Sequence, residues 1–180
     1  MRVALFGGSF NPPHLGHQLV ALTVLETRPI DELWLIPCFR HAFDKALVPF
    51  ADRLAMCELA ARALGPRVKV IDVEGRLGGE SRTLLTVKAL AHEFPTHEWS
   101  VVIGADLVHE TASWYGAEEL QQRTRFLVVG RTGHAGGQGV DMPPVSSTDV
   151  RARLARGEAV DDRVPRVVLD YIRARKLYGA

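Results

Sequence analysis

Short apolar runs and longer segments of helical spacing alternate along this chain. Five runs rich in branched and aromatic apolar residues have the length of buried strands: residues 2–6, 32–37, 67–73, 99–104 and 125–130. Apolar residues recur at helical spacing in five other segments, which begin near His14 or span residues 51–64, 83–94, 147–155 and 166–176. This alternation predicts a Rossmann-like α/β fold, a doubly wound parallel sheet of about five strands with helices on both faces.

The predicted strands end in residues that break regular structure. Gly7-Gly8, Pro37, Gly104 and Gly130 each end or follow one of them. In a doubly wound parallel sheet, the carboxyl ends of neighbouring strands lie at one rim, and ligands bind there. We therefore expect these turns to share one binding rim.

The first of these turns has the composition of a phosphate-binding loop. Gly7 and Gly8 allow backbone N–H groups to approach an anion, and Asn-Pro-Pro at residues 11–13 delays the helix to about His14. The helix N-terminus adds unpaired N–H donors and partial positive charge. His14 and His17 lie three residues apart, so both can face the same side. Two imidazoles beside such a turn would stabilise the charge that builds up in phosphoryl-type transfer.

A second candidate anion site precedes the helix predicted at residues 147–155. Ser146, Ser147 and Thr148 carry the hydroxyls typical of a helix N-cap, and Arg151 falls in the first turn. Alone, this stretch predicts no more than a capped helix with a solvent-facing arginine. Beside the first site, the same hydroxyls, free N–H groups and guanidinium would form a second phosphate cradle.

Both stretches match signatures of a known family. Residues 14–17 (His-Leu-Gly-His) resemble in full the His/Thr-x-Gly-His signature of the nucleotidylyltransferase superfamily. The second stretch is similar to the superfamily's Ser-Ser-Thr-x-x-Arg motif, with Val145 where isoleucine is usual. The resemblance implies that His14, His17 and Arg151 are catalytic and that no covalent enzyme intermediate forms. It also implies an ATP-binding set: Gly7, Gly8, Ser9, Phe10, His14, Gly16, His17, Gly104, Asp106, Ser147, Thr148 and Arg151.

The spacing of Gly104, Asp106 and Trp114 resembles the branch of this superfamily that makes nicotinate or nicotinamide dinucleotides. The resemblance implies that Asp106 contacts the adenosine part of the nucleotide. It also implies that Trp114 stacks on the pyridine ring, an electron-poor ring suited to an offset aromatic neighbour. From the residues alone, a helix N-cap for Asp106 and a core position for Trp114 remain alternatives.

The expected substrate pocket departs from the pattern of that branch. Its Ser-Tyr-Thr-x-x-Thr motif corresponds to residues 81–86, in which Arg82 replaces tyrosine and Leu85 replaces an acidic residue. Arg82 would favour a carboxylated ring or would be a surface arginine. The family's two prolines are missing near Lys45, which would reach a phosphate or be exposed without a role. The resemblance implies this substrate-binding set: Lys45, Ser81, Arg82, Thr83 and Trp114.

Composition and charge indicate how many domains the chain forms and which partners it is not expected to bind. The chain has 180 residues, enough for a single nucleotidylyltransferase domain over residues 1–180 with closing helices at about 147–177. A net charge of +1 gives no overall attraction to nucleic acid or to an anionic membrane. Two isolated cysteines predict neither a disulfide framework nor a metal site. Since neither a signal peptide nor a membrane-spanning run is apparent, we expect a cytoplasmic protein.

Two further stretches lie outside the candidate site. Residues 53–56 (Arg-Leu-Ala-Met) look like the family's Arg-x-x-Met helix, which we interpret as structural. The glycine-rich residues 133–139 are typical of a mobile loop.

The resemblance implies an adenylyltransferase of NAD biosynthesis that transfers AMP from ATP to nicotinate mononucleotide, giving deamido-NAD and pyrophosphate. Mg²⁺ would bridge the substrate phosphates, with no dedicated protein metal site. The expected partners are ATP and a pyridine mononucleotide, with no nucleic acid and no membrane, and the protein would be a monomer or a homo-oligomer. The alternatives are pantetheine-phosphate adenylyltransferase of coenzyme A biosynthesis and a non-catalytic nucleotide sensor on the same fold.

Overall fold

A parallel sheet forms the centre of the protein in the computed structural model, which describes residues 1–40, 47–131, 138–142 and 144–180. Across these residues the sheet has six strands: β1 (Arg2–Gly8), β2 (Glu32–Pro37), β3 (Val68–Val70), β4 (Glu98–Gly104), β5 (Thr124–Arg131) and β6 (Gln138–Met142). Their spatial order is β3-β2-β1-β4-β5-β6, with parallel neighbours throughout. The order reverses between β1 and β4, and ligands bind beside such a switch point in doubly wound sheets.

Helices connect the strands. Over the same ranges the α-helices are α1 (Leu15–Thr27), α2 (Phe50–Arg62), α3 (Val73–Leu77), α4 (Thr83–Glu93), α5 (Ala117–Arg123), α6 (Ser147–Ala155) and α7 (Arg166–Ala174). A 3₁₀ helix, Ala105–Ser113, follows β4, and a short 3₁₀ turn, Leu177–Gly179, follows α7. Of the helices described, none combines the length and the apolar character needed to cross a lipid bilayer.

Alternate strand residues point to opposite faces of the sheet, and helices cover both. Ala4 and Leu33 belong to an apolar cluster that contains side chains of α1 and α2. Their neighbours Val3 and Trp34 belong to a second cluster that contains side chains of α3, α4 and α5. The predicted doubly wound α/β architecture is therefore confirmed.

The C-terminal helices pack on α2 and not on the sheet. Met56 of α2, Val150 of α6 and Ile172 of α7 lie in one buried cluster. This packing fixes the position of the first turn of α6, which carries the second predicted phosphate motif.

The carboxyl ends of the strands meet at one rim, as predicted. Gly8 at the end of β1 pairs with Pro37 at the end of β2. On the other side of the switch point, Gly104 at the end of β4 pairs with Val129, the neighbour of Gly130.

The sheet differs from the prediction in two strands. β3 ends at Val70, because the chain turns into α3 at Val73, whose side chain is buried against the sheet. β6 was not predicted, because its first residues fall in the glycine-rich stretch 133–139 that favoured a loop. Pairing with β5 defines it as a strand, and tertiary pairing overrides local preference in sheets. Residues 133–137 of the predicted loop lie outside the described residues.

Candidate active site

The turn after β1 packs against the first turn of α1. Phe10 is buried and adopts a left-handed backbone with φ of 44°. A β-carbon on Gly8 would lie 3.2 Å from the Phe10 ring, which would have to shift slightly to admit a larger residue. The Phe10 ring also meets the His17 ring edge-on, with centroids 4.9 Å apart. Phe10 therefore supports the turn from below, and its side chain is not exposed to a ligand.

His14 and His17 form a stacked pair at the N-terminus of α1. Their ring centroids are 3.7 Å apart and the planes differ by 27°. The His14 backbone N–H donates to His17 Nδ1 at 3.1 Å. Because Nδ1 accepts this bond, the neutral His17 ring carries its proton on Nε2. His17 Nε2 is thereby a fixed donor suited to a phosphate oxygen.

Gly16 makes this pair possible. A β-carbon at this position would lie 3.0 Å from two atoms of the His14 ring. It would also lie 3.8 Å from the Val145 side chain, which precedes α6. The His14 ring would therefore have to shift to admit a larger residue, which gives the glycine of the His-x-Gly-His signature a packing reason.

The first turn of α6 is bonded to the chain that enters α1. Ser146 caps the helix, since its hydroxyl accepts the Asp149 N–H at 3.1 Å. The Ser147 hydroxyl donates to the Pro12 carbonyl at 2.9 Å, and Arg151 Nη1 donates to the Asn11 carbonyl at 2.7 Å.

These two bonds place the hydroxyls and the guanidinium of α6 next to the histidine pair. Arg151 Nη2 also lies 3.4 Å from Thr148 Oγ1. The structure thus brings together the two stretches that were predicted to grip phosphates.

Asn11 also stabilises the junction between the first turn of α6 and the chain that enters α1. Its side chain is 2% exposed, and Oδ1 accepts the Tyr178 hydroxyl at 2.8 Å and the Val48 N–H at 3.3 Å. Burial raises the pKa of Tyr178 above its usual range, so the phenol remains a donor well into the alkaline range. The C-terminal tail therefore fixes the carbonyl that Arg151 contacts.

Gly104 and Asp106 lie across the switch point from the glycine turn. A β-carbon on Gly104 would overlap Asp106 Oδ1, so a larger residue at the end of β4 would displace the Asp106 carboxylate. Asp106 is half-buried in the first turn of the 3₁₀ helix. It does not act there as a helix N-cap, because Gly104 occupies that position.

A cavity of about 570 Å³ opens beside the glycine turn. This volume is typical of pockets for small organic ligands. Gly7, Gly8 and Ser9 line one part of it, and the 3₁₀ helix with Trp114 lines another. Every described member of the predicted substrate-binding set also lines it: Ser81, Arg82, Thr83 and Trp114.

Arg82 and Lys45 are the two cationic residues of the predicted substrate-binding set. Arg82 contributes to the cavity wall, but its Nη2 pairs with Glu80 at 2.6 Å and its guanidinium carbon lies 5.8 Å from the Tyr115 ring centroid. Lys45 lies outside the described residues. His14, His17 and Arg151 do not line this cavity. The site therefore has two parts that share the glycine turn.

Two buried charged residues were not identified as part of the site. Glu74 lines the cavity, and Arg53, interpreted as structural, donates to the Ser9 carbonyl at 3.0 Å. Glu74 carries no local signal, because an acidic residue in a polar loop is usually exposed. Arg53 was predicted only as part of the Arg-x-x-Met helix, with no role at the site.

The family model described as cytidylyltransferase-like matches residues 5–153. This span includes the histidine pair, the cavity residues and Arg151. The chain therefore belongs to the cytidylyltransferase-like family.

Individual relatives have names that state a more specific activity than the family description does. A protein of Anaeromyxobacter dehalogenans (strain 2CP-C), named probable nicotinate-nucleotide adenylyltransferase, is 49% identical over 180 residues, with 98% of this chain and 96% of that protein covered. A protein of the same name from Myxococcus xanthus (strain DK1622) is 38% identical over 181 residues, with 99% and 95% covered. The nicotinic acid mononucleotide adenylyltransferase of Plasmodium falciparum, solved in complex with NaAD, matches the fold with a TM-score of 0.82 at 21% identity, with 99% of this chain and 97% of that chain covered.

Proposed function

We propose that this chain is an adenylyltransferase of NAD biosynthesis that transfers AMP from ATP to nicotinate mononucleotide. The observation that carries the proposal is the shared glycine turn. Gly7 to Ser9 form one wall of the cavity, and the same turn leads into the stacked histidines. A donor triphosphate and an acceptor phosphate would meet there. The names of the relatives support the same activity.

On the donor side, the protein supplies positive charge and hydrogen-bond donors to the triphosphate. His17 Nε2–H and the N-terminus of α1 would bind phosphate oxygens from one side. The hydroxyls of Ser147 and Thr148 and the guanidinium of Arg151 would bind from the other. Asp106 would contact the adenosine part. Such preorganised donors act by stabilising charge where it develops in the transition state.

On the acceptor side, the cavity would hold the pyridine ring. Trp114 offers an indole face for offset stacking. Arg82 would pair with a carboxylate on the ring, if it exchanges the exposed Glu80 for the substrate. We therefore propose nicotinate rather than nicotinamide mononucleotide as the acceptor.

The proposed reaction is a single displacement at phosphorus. An oxygen of the acceptor 5′-phosphate forms a bond to the α-phosphorus of ATP, and the bond from that phosphorus to the bridging oxygen of pyrophosphate breaks. The electron pair leaves with pyrophosphate, so no protein side chain is modified. Positioning and charge stabilisation are the main contributions of a protein to such a transfer.

Mg²⁺ would enter with ATP as part of the substrate. Across the described residues, no three His, Cys, Asp or Glu side chains are grouped so as to hold a metal ion. The groups around the histidine pair are donors and fit phosphate oxygens, whereas Mg²⁺ prefers oxygen acceptors and retains its waters. The bound ion would neutralise phosphate charge, and the protein would hold the phosphates.

A pyrophosphate-release assay with separate acceptors tests the function. The purified chain is incubated with Mg·ATP and nicotinate mononucleotide, nicotinamide mononucleotide or phosphopantetheine, and the dinucleotide product is identified by mass. We expect the highest kcat/KM with nicotinate mononucleotide. Turnover only with phosphopantetheine would assign the chain to coenzyme A biosynthesis. ATP binding without turnover of any acceptor would indicate a sensor.

Three expectations from the sequence stay predictions: one domain over the whole chain, a cytoplasmic location, and partners limited to the two nucleotides. Whether the protein is a monomer or a homo-oligomer is open to a direct mass measurement in solution.

A further inference from the structure

One carboxyl group in the cavity wall has no part in the proposed chemistry. Glu74 lies in α3 and is 9% exposed. Its Oε2 accepts the Phe39 N–H at 3.1 Å and also the Ser81 hydroxyl. Its Oε1 accepts the Thr86 hydroxyl at 2.9 Å. Both oxygens are therefore bonded to the protein and are poorly placed to bind a ligand.

The three donors come from three different segments of the wall. Phe39 follows the end of β2, Ser81 lies in the loop before α4, and Thr86 lies within α4. Ser81 and Thr86 line the cavity together with Glu74 itself. Glu74 thus bonds all three segments. Two of them are also joined directly, since the Phe39 N–H donates to Ser81 Oγ at 2.9 Å and the Ser81 N–H donates to the Arg40 carbonyl at 2.9 Å.

Arg53 bonds the backbone around Phe39 through carbonyl oxygens. The Phe39 carbonyl accepts from Arg53 Nη2 at 3.1 Å, while Arg53 Nη1 donates to the Cys38 carbonyl at 2.6 Å and to the Ser9 carbonyl at 3.0 Å. The Arg53 side chain is 1% exposed. Arg53 is therefore bonded to the phosphate turn, whereas Glu74 is bonded to the loop before α4.

We propose that Glu74 is a positioning residue for the acceptor pocket. It holds the wall against which the pyridine mononucleotide binds, through the hydrogen bonds that it accepts from Phe39, Ser81 and Thr86. The inference rests on the proposed function only for the identity of the acceptor.

The variants Glu74→Ala and Glu74→Gln test whether the hydrogen bonds of Glu74 position the wall of the acceptor pocket. Alanine removes the carboxyl that accepts from Phe39, Ser81 and Thr86, so Ser81 keeps only its bonds to the segment after β2. We expect the KM for nicotinate mononucleotide to rise about tenfold, on the scale of one to two lost hydrogen bonds. The KM for ATP should stay unchanged. Glutamine keeps a carbonyl for Phe39 and Ser81. Its NH₂ can donate to Thr86, whose hydroxyl then turns to the Arg82 carbonyl 3.4 Å away. Glu74→Gln should therefore restore most of the acceptor affinity.

Glu26→Ala is the matched control. Glu26 is exposed and pairs with Arg67, and it does not line the cavity. Both KM values of this variant should equal those of the wild type. Thr86→Val is a milder second variant, which removes one donor to Glu74 and should raise the acceptor KM about threefold. If Glu74→Ala binds no ATP and is therefore unfolded, Thr86→Val tests the role of Glu74 in its place.

The measurements are the two KM values and kcat of each variant, with calorimetric titration of ATP and of nicotinate mononucleotide. A selective loss of acceptor affinity that Glu74→Gln restores supports the proposal. Unchanged acceptor affinity in Glu74→Ala, equal losses for both nucleotides in a folded variant, or a wild-type Thr86→Val each overturn it. A wild type that binds the mononucleotide without forming a dinucleotide contradicts the proposed function, while the titrations still decide the role of Glu74.

Discussion

The two parts of the candidate site are built in different ways. The phosphate side consists of two short continuous stretches, around residues 7–17 and 146–151, joined by bonds from Ser147 and Arg151 to backbone carbonyls. The acceptor cavity is assembled from the ends of several strands, two loops, α4 and the 3₁₀ helix. Side chains such as Glu74 tie its wall together.

The difference explains why one side keeps the family signature and the other departs from it. A triphosphate demands donors at defined points, and few arrangements of imidazole, guanidinium and backbone N–H supply them. An aromatic ring demands shape and a stacking face, which many side chains can provide. Arg82 can therefore stand where tyrosine is usual without loss of the cavity.

If this division is correct, substitutions on the phosphate side lower kcat, and substitutions in the cavity raise the KM for the acceptor.

The largest expected effect is that of His17→Ala. It removes a fixed donor at the reacting phosphates, so kcat should fall about a hundredfold or more, on the scale of a lost oxyanion donor. Initial rates of pyrophosphate release measure it. The exposed His92→Ala is the control, and a His17→Ala enzyme with near-normal kcat would remove this residue from the mechanism.

Trp114→Ala should act on the other side. Loss of the stacking face should raise the KM for nicotinate mononucleotide about tenfold, since an aromatic pair and its buried area contribute 1 to 2 kcal/mol, roughly. The KM for ATP should change little, and Trp114→Phe should recover part of the loss. The division between the two sides fails if the KM for ATP rises as much as that for the acceptor.

The smallest expected effect concerns the junction at Asn11. Tyr178→Phe deletes the hydroxyl that donates to Asn11 Oδ1, so the free energy of unfolding should fall by about 1 kcal/mol. Urea denaturation of both proteins at pH 7 measures this difference.

The pH dependence gives a second check on Tyr178. Burial raises its folded pKa, so the folded state favours the neutral phenol. Its stabilising effect is complete below the unfolded pKa of about 10 and is lost as the pH rises above that value. The stability difference between wild type and Tyr178→Phe should therefore shrink between about pH 9 and pH 11. A constant difference over this range would contradict the burial of the phenol.

Much of the fold could be predicted from the sequence, because its strands and longer helices have regular apolar spacing. The bounds of α6 match the prediction, since Ser146 is both a sequence signal and the cap in the structure. The short helices α3 and α5 and the 3₁₀ helix were missed, because they contain too few apolar repeats to show a period. β6 was missed because only its partner strand defines it.

The candidate site divides in the same way. His14, His17, Ser147 and Arg151 could be selected from local spacing, and the structure brings them together, although their roles stay predictions. Glu74 could not be selected, and Arg53 could be selected only as part of a structural helix. Their positions follow from burial and from bonds to residues 35 and 44 positions away, which no local pattern contains.

A double-mutant cycle of His17→Ala and Arg151→Ala tests most directly whether both stretches act on one triphosphate. Residues that act as a unit lose kcat non-additively. We predict that the double variant is clearly faster than the product of the two single losses requires. The control pairs His17→Ala with a change of the exposed Glu26, Glu26→Ala, and the effects of these two substitutions on kcat should multiply. Independent, fully multiplicative losses for His17 and Arg151, or a wild-type kcat for Arg151→Ala, would contradict the account.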